Sequence, residues 1–183
     1  MTFLLVTSNV LKASARRVGE VAAWCVVALI LTVMLDVITR RFIVLGSTKL
    51  QDLEWHLHAT LFLLCLGYAY VEGEHVRIDV LHSRFGAKAA AAIELIGAAL
   101  FLVPFCIVVL YYGWGFVAHS FRLDEGSPSL TGLPHRWIIK SALVIGFTTL
   151  LLSALGAITG ALATLLGARP PGRHHDAHQE VGL

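Results

Sequence analysis

Apolar residues in this chain come in long runs separated by short charged stretches, rather than alternating with polar ones. Four runs reach the roughly 20 residues that an α-helix needs to cross a hydrocarbon core. They lie at about 18–38, 50–71, 89–117 and 138–168. The pattern predicts an all-α integral membrane fold with four transmembrane helices in one domain over residues 1–168. The connections are too short to hold a separate catalytic domain, so a bilayer is the first partner the sequence implies.

The flanks of the runs add detail. Residues 1–15, MTFLLVTSNVLKASA, have an apolar start and a small-residue Ala13-Ser14-Ala15 triplet, as a secretory leader does. No positive charge precedes the apolar stretch, and Thr7, Ser8 and Asn9 interrupt it, so an uncleaved interfacial segment is expected instead. Leu50, Leu53 and Leu57 recur at helical spacing with Gln51, Asp52 and Glu54 on other faces, which predicts an amphipathic turn opening the second run, with Trp55 at headgroup depth. The connection HSFRLDEGSPSLTGLPHRW carries two prolines and two glycines and reads as turns. Residues 169–183 open on Pro170-Pro171 and are expected to be a disordered polar tail.

Composition sharpens the class. The 183 residues are 57% hydrophobic and 14% charged, and the mean hydropathy is +0.76, well outside the balance of a water-soluble domain. A net charge of +2 with scattered basic residues excludes a nucleic-acid binder. With both termini inside, Lys12, Arg16, Arg17, Arg77, Arg84, Lys88, Arg169 and Arg173 face the cytoplasm. Arg40, Arg41, Lys49, Arg122, Arg136 and Lys140 face the opposite side. The excess favours an N-in, C-in topology.

Candidate chemistry is sparse. Cys25, Cys65 and Cys106 fall in different runs without C-x-x-C spacing and read as packing residues. Ionisable groups inside a span are expensive and therefore informative. Glu20 follows Arg16 and Arg17 by one turn, and Asp36 precedes Arg40 by four residues, so both are expected to pair locally. Glu94 lies about 9 Å inside the third run at the standard helical rise; it either pairs with Arg77 or Lys88 or snorkels to the headgroups. Of the nine histidines, His56, His58 and His119 lie near one surface and not at mid-helix, a poor arrangement for bis-histidine haem ligation. His174, His175 and His178 are an incidental tail cluster. No catalytic, cofactor or metal residue is expected. In the fourth run Ser153, Gly156, Gly160, Ala163 and Gly167 share one face and predict close helix packing, within the bundle or against a partner subunit.

Two stretches, LEWHLHATLFLLCLGYAYVEGEHVRIDVL (53–81) and DEGSPSLTGLPHRWIIKSALVIGF (124–147), resemble the small permease subunit of tripartite ATP-independent periplasmic (TRAP) transporters, the DctQ-type family. His75-Val76-Arg77-Ile78-Asp79-Val80-Leu81 looks like the family's HVRVDVL signature. The pattern Glu125, Ser127-Pro128, Gly132-Leu133-Pro134, Trp137, Lys140 looks like its second. Beside the resemblance, Arg77 and Asp79 are two apart and cannot face each other on one helix. A structured cytoplasmic elbow containing Glu74, His75, Arg77 and Asp79 is expected. The resemblance implies a non-catalytic scaffold in the bacterial inner membrane. Its partners are a larger membrane subunit, which holds the solute and sodium sites, and a periplasmic solute-binding protein. By the same analogy Asp124, Glu125, Ser127, Pro128 and Pro134 face the periplasm and contact the binding protein. The alternative from the residues alone is a haem-binding membrane anchor of a redox complex.

Overall fold

In a computed structural model of the chain, residues 2–43, 46–73, 86–129 and 131–167 are described. Helix α1 runs Thr2–Ile38 and passes into a π turn at Thr39–Ile43. α2 spans Thr48–Glu72, capped at its start by the Ser47 hydroxyl on the Leu50 N–H and at its end by Gly73 in the left-handed region, φ 81°. α3 (Ala87–Gly97), a π turn (Ala98–Leu102) and α4 (Val103–Arg122) form one long third helix. α5 spans Trp137–Leu165. No strand occurs among the described residues. The π turn before α4 has a local cause. Pro104 has no N–H, and its ring crowds the carbonyl four residues back. The chain opens there by one residue, and the Val103 N–H bonds to Ala98 instead.

Among the described residues three helices are long and apolar enough to cross a membrane: Thr2–Ile43, Lys88–Arg122 and Trp137–Leu165. α2 has 25 residues, about 37 Å at 1.5 Å per residue, but is less apolar, and it lies packed between α1 and α5. The first helix begins far earlier than the expected start near Val18. Its opening residues continue the helix without a break, and small side chains at Ser8, Ala15, Gly19 and Ala22 keep one buried face at helical spacing. The hydroxyls that made this stretch look interfacial are satisfied on helices: Thr7 donates to the Phe3 carbonyl at 2.9 Å and Ser8 to the Gly156 carbonyl at 2.7 Å.

α5 is the hub. α1 and α2 pack on each other and on α5, while the third helix packs chiefly on α5. The α2–α5 seam is made by absent side chains: a Cβ on Gly146 would stand 2.3 Å from the Leu63 carbonyl oxygen, and one on Gly67 2.9 Å from the Thr149 carbonyl. Ser153, with no exposed surface, donates between the Gly67 carbonyl at 3.0 Å and the Thr149 carbonyl at 2.9 Å. Gly156 and Gly160 receive Ser8, Leu11 and Lys12 of α1. Gly167 lies outside this packed stripe, past the end of α5 with φ 92° and open space around it. There it serves as a chain-turning glycine.

Candidate functional site

The most polar construction in the described residues is the connection between α4 and α5, folded down over the first turns of α2. α4 ends as Leu123 donates to the His119 carbonyl and Glu125 to that of Ser120. The loop then closes on itself: Ser127 N–H to the Leu133 carbonyl at 3.0 Å, Gly132 to Ser129 at 3.1 Å, and Arg136 to the Glu125 carbonyl at 2.8 Å. It is latched to α2 by Asp52, whose carboxylate accepts the Leu133 N–H at 2.9 Å and lies against the Ser127 hydroxyl. Thr48 and Thr131 hydroxyls meet at 2.8 Å beside it. Gly132 makes this possible, since a Cβ there would stand 2.3 Å from Ser127 and 2.4 Å from the Asp52 carboxylate.

A second latch ties the loop to α5. Glu125 forms an ion pair with Lys140 and stands 3.8 Å from the Arg136 guanidinium. The Lys140 side chain is only 11% exposed, and its ammonium sits 3.9 Å from the centre of the Phe116 ring, where the ring face offsets part of its desolvation. The Lys140 hydrogen bond, with help from Arg136, holds the Glu125 carboxyl below the usual carboxylate range. Phe121 and Trp137 meet edge to face at 5.3 Å and close the joint. Of the expected contact residues, Glu125 and Ser127 are thus turned into the loop's own bonding, while Asp124, Pro128 and Pro134 are exposed. Asp124 and His135 both adopt positive φ, 45° and 59°, and the His135 Nδ1–H donates to Asp124 at 2.8 Å.

The remaining candidates are scattered. Asp36 is buried and ion-paired with Arg40 one turn on. Arg16 bonds to Glu72 of α2 at 2.6 Å, leaving Glu20 exposed on another face; the expected local pairing of Glu20 is not the one formed, because Glu72 offers Arg16 a partner across the α1–α2 seam. Glu94 is half-buried and engaged. His56 is held to its own helix by the Asp52 carbonyl at 2.5 Å, and His58 and His119 are exposed. Among the described residues no group of three His, Cys, Asp or Glu side chains comes together. The elbow at Glu74, His75, Arg77 and Asp79 and the tail at 169–183 lie outside the described residues. Sequence reasoning missed Asp52 as the loop's latch: its partners are 75 to 81 positions away, and no spacing rule reaches that far.

Long apolar helices, a hub of small residues and a polar loop bonded to itself define a membrane subunit built for packing. Among family models, the one for the DctQ component of tripartite ATP-independent periplasmic transporters matches residues 29–164. The chain belongs to that family. It is therefore a non-catalytic transporter subunit of the inner membrane. Comparison with curated proteins and with solved structures finds no match.

Proposed function

We propose that the chain is a four-span, N-in/C-in scaffold that holds the large permease subunit in the bilayer during sodium-coupled, binding-protein-dependent import of small organic acids. The family match over residues 29–164 carries this reading. α2 serves as the fourth span: it is less apolar than the others and lies between α1 and α5, which cover part of its surface. The large subunit and the periplasmic solute-binding protein are the partners, and solute and ion sites belong to the large subunit.

In this reading the latched loop is a rigid periplasmic platform. Asp124, Pro128 and Pro134 supply its outward surface, and Glu125 and Ser127 hold its shape. The test is uptake into proteoliposomes containing this chain and the large subunit, with binding protein outside and an imposed sodium gradient. Uptake is expected to need all three proteins and the gradient. Asp124→Lys is expected to weaken the binding protein's affinity about tenfold without disturbing the membrane complex, the usual scale for an exposed interfacial charge. Sodium-independent uptake would remove the coupling, and unchanged affinity for Asp124→Lys would remove the platform.

A further inference from the structure

The neck of the α4–α5 loop holds two residues in a backbone conformation that favours glycine. α4 ends in a Schellman pattern: the Asp124 N–H bonds to the Phe121 carbonyl at 3.3 Å and the Glu125 N–H to that of Ser120 at 3.1 Å. The left-handed position of that pattern is ordinarily glycine, and here it is Asp124, at φ 45°. His135, just before α5, is left-handed as well, at φ 59°, where any side chain carries a steric cost. The two side chains meet, Asp124 Oδ1 to His135 Nδ1, at 2.8 Å.

Stability does not explain the pair. The His135 and Asp124 side chains are 53% and 75% exposed, and a solvated ion pair contributes little. The loop is closed without it, by Arg136 on the Glu125 carbonyl, Ser127 on the Leu133 carbonyl and Leu133 on Asp52. Backbone strain kept where the fold does not need it points to function. What the pair adds is a proton site. An imidazole changes charge between about pH 5 and pH 8, and with Nδ1–H on Asp124, Nε2 is the nitrogen that takes the second proton. Neutral His135 leaves the Asp124 charge uncompensated at the surface, whereas protonated His135 cancels it. The other ionisable groups around the neck have partners of their own. Arg136 and Lys140 are held by Glu125, Asp52 by the Leu133 N–H, His56 by the Asp52 carbonyl and Arg122 by the Ala118 carbonyl. Lys49 and Glu54, at the start of α2, belong to types whose charge is constant between about pH 6 and pH 8. His58 and His119 are exposed on α2 and α4, and the test below separates them from His135.

Leu123 and Pro134, the chain neighbours of the pair, are exposed too, so the pair lies on the outward side of the loop. We propose that the Asp124–His135 pair makes docking of the periplasmic solute-binding protein proton-dependent. With His135 neutral, Asp124 meets a base of the binding protein; protonation of His135 cancels that charge, and docking weakens as the periplasm acidifies. This rests on the platform reading above and gives that platform its regulation.

The test measures the affinity of the purified solute-binding protein for the full chain with the large subunit in nanodiscs, at about pH 8 and about pH 6, for the native chain and for His135→Asn. Asparagine tolerates the left-handed backbone and its amide can still donate to Asp124, but it takes no proton. The two affinities are expected to agree at the higher pH. At the lower pH the native affinity is expected to fall to about one third of the variant's, the scale of one exposed charge pair. Titrating groups on the binding protein, and His58 and His119, act on both chains and cancel in that ratio. A ratio that stays level or rises on acidification overturns the proposal and leaves the platform intact. Calorimetry of native docking at about pH 6.5, in buffers of different ionisation enthalpy, is expected to show release of a fraction of a proton per complex. Docking without proton release overturns the proposal even where His135→Asn fails to fold. If the binding protein docks at neither pH, or docks as well on the large subunit alone, the platform and the proposal fall together.

Discussion

α5 and the third helix are both long, apolar and able to cross a membrane, yet they relate to the rest of the molecule in opposite ways. Of the most apolar window of α5, 44% is buried inside the protein; of the third helix, 11%. The difference lies in side-chain size rather than hydrophobicity. α5 presents Ala142, Gly146, Ser153, Ala154, Gly156, Ala157 and Ala161 to its neighbours, so backbones approach closely and contact accumulates along two seams. The third helix runs along α5, with Gly113 against Leu143 and the Phe105–Phe147 ring pair at 5.8 Å, but it leans chiefly on that one neighbour and turns its large residues outward. In a bilayer apolar area alone gives no preference for protein over lipid, and close fit supplies it.

The sharpest way to break this comparison is to add one methyl group in each region. Gly146→Ala places a Cβ 2.3 Å from the Leu63 carbonyl oxygen, and neither backbone can yield without opening the α2–α5 seam. Helix propensity favours alanine by about 1 kcal/mol, but overpacking at such a contact costs more, and a net loss of about 2 kcal/mol is expected. Thermal unfolding in detergent, followed by loss of monodisperse protein, measures it. A rise in Tm would show that α2 and α5 are not in backbone contact there.

Gly132→Ala tests the latch of the loop onto α2. The new methyl would strike Ser127 and the Asp52 carboxylate, releasing the Leu133 N–H bond and the packing behind it. A loss of about 1–2 kcal/mol is expected. Faster hydrogen exchange at Leu133 and Arg136 would distinguish opening of the loop from a general weakening. Protection that stays at the native level would mean that the loop holds itself without α2. Gly97→Ala, in the third helix, meets nothing within 4 Å, so propensity acts alone and stability should rise by up to about 1 kcal/mol. A decrease in the same melting assay would reveal a neighbour on that surface.

How much of this was legible beforehand depends on how far apart the partners sit in the chain. Apolar runs are local, so the helices could be read directly, and so could small residues repeating every three or four positions on α5. The continuous start of α1 could not, because Thr7, Ser8 and Asn9 look polar until Gly156, 148 positions away, accepts the Ser8 hydroxyl. Asp52 was visible only as one polar residue on an amphipathic turn; its meaning depends on Leu133 and Ser127. Arg16 had a carboxylate one turn away at Glu20 and another 56 positions away at Glu72, and folding selected the distant one. Spacing identifies what one helix presents, but not which neighbour receives it.

The two regions should also differ in their response to acid. The α2–α5 seam is made by Gly67, Gly146, Ser153 and backbone carbonyls, none of which titrates. The third helix is joined to α5 at the loop end through Glu125, held by Lys140 and Arg136. Glu125's carboxyl lies below its ordinary value of 4.5 in the folded protein. Its contribution to stability is therefore fully present above about pH 4.5 and is lost as pH falls through the lower folded value, because protonation then binds more tightly to the unfolded chain. Acidification below pH 4.5 should loosen the α4–α5 joint before it touches the α2–α5 seam. Hydrogen exchange across the pH range should show Arg136 and Leu123 losing protection while Gly67 and Ser153 keep theirs. In Lys140→Gln the Glu125 carboxyl returns toward its ordinary value and that acid-dependent loss shrinks, at the expense of a weaker joint at neutral pH. An undiminished acid response in Lys140→Gln would assign it to another group and leave the ionic joint without a role in holding the third helix.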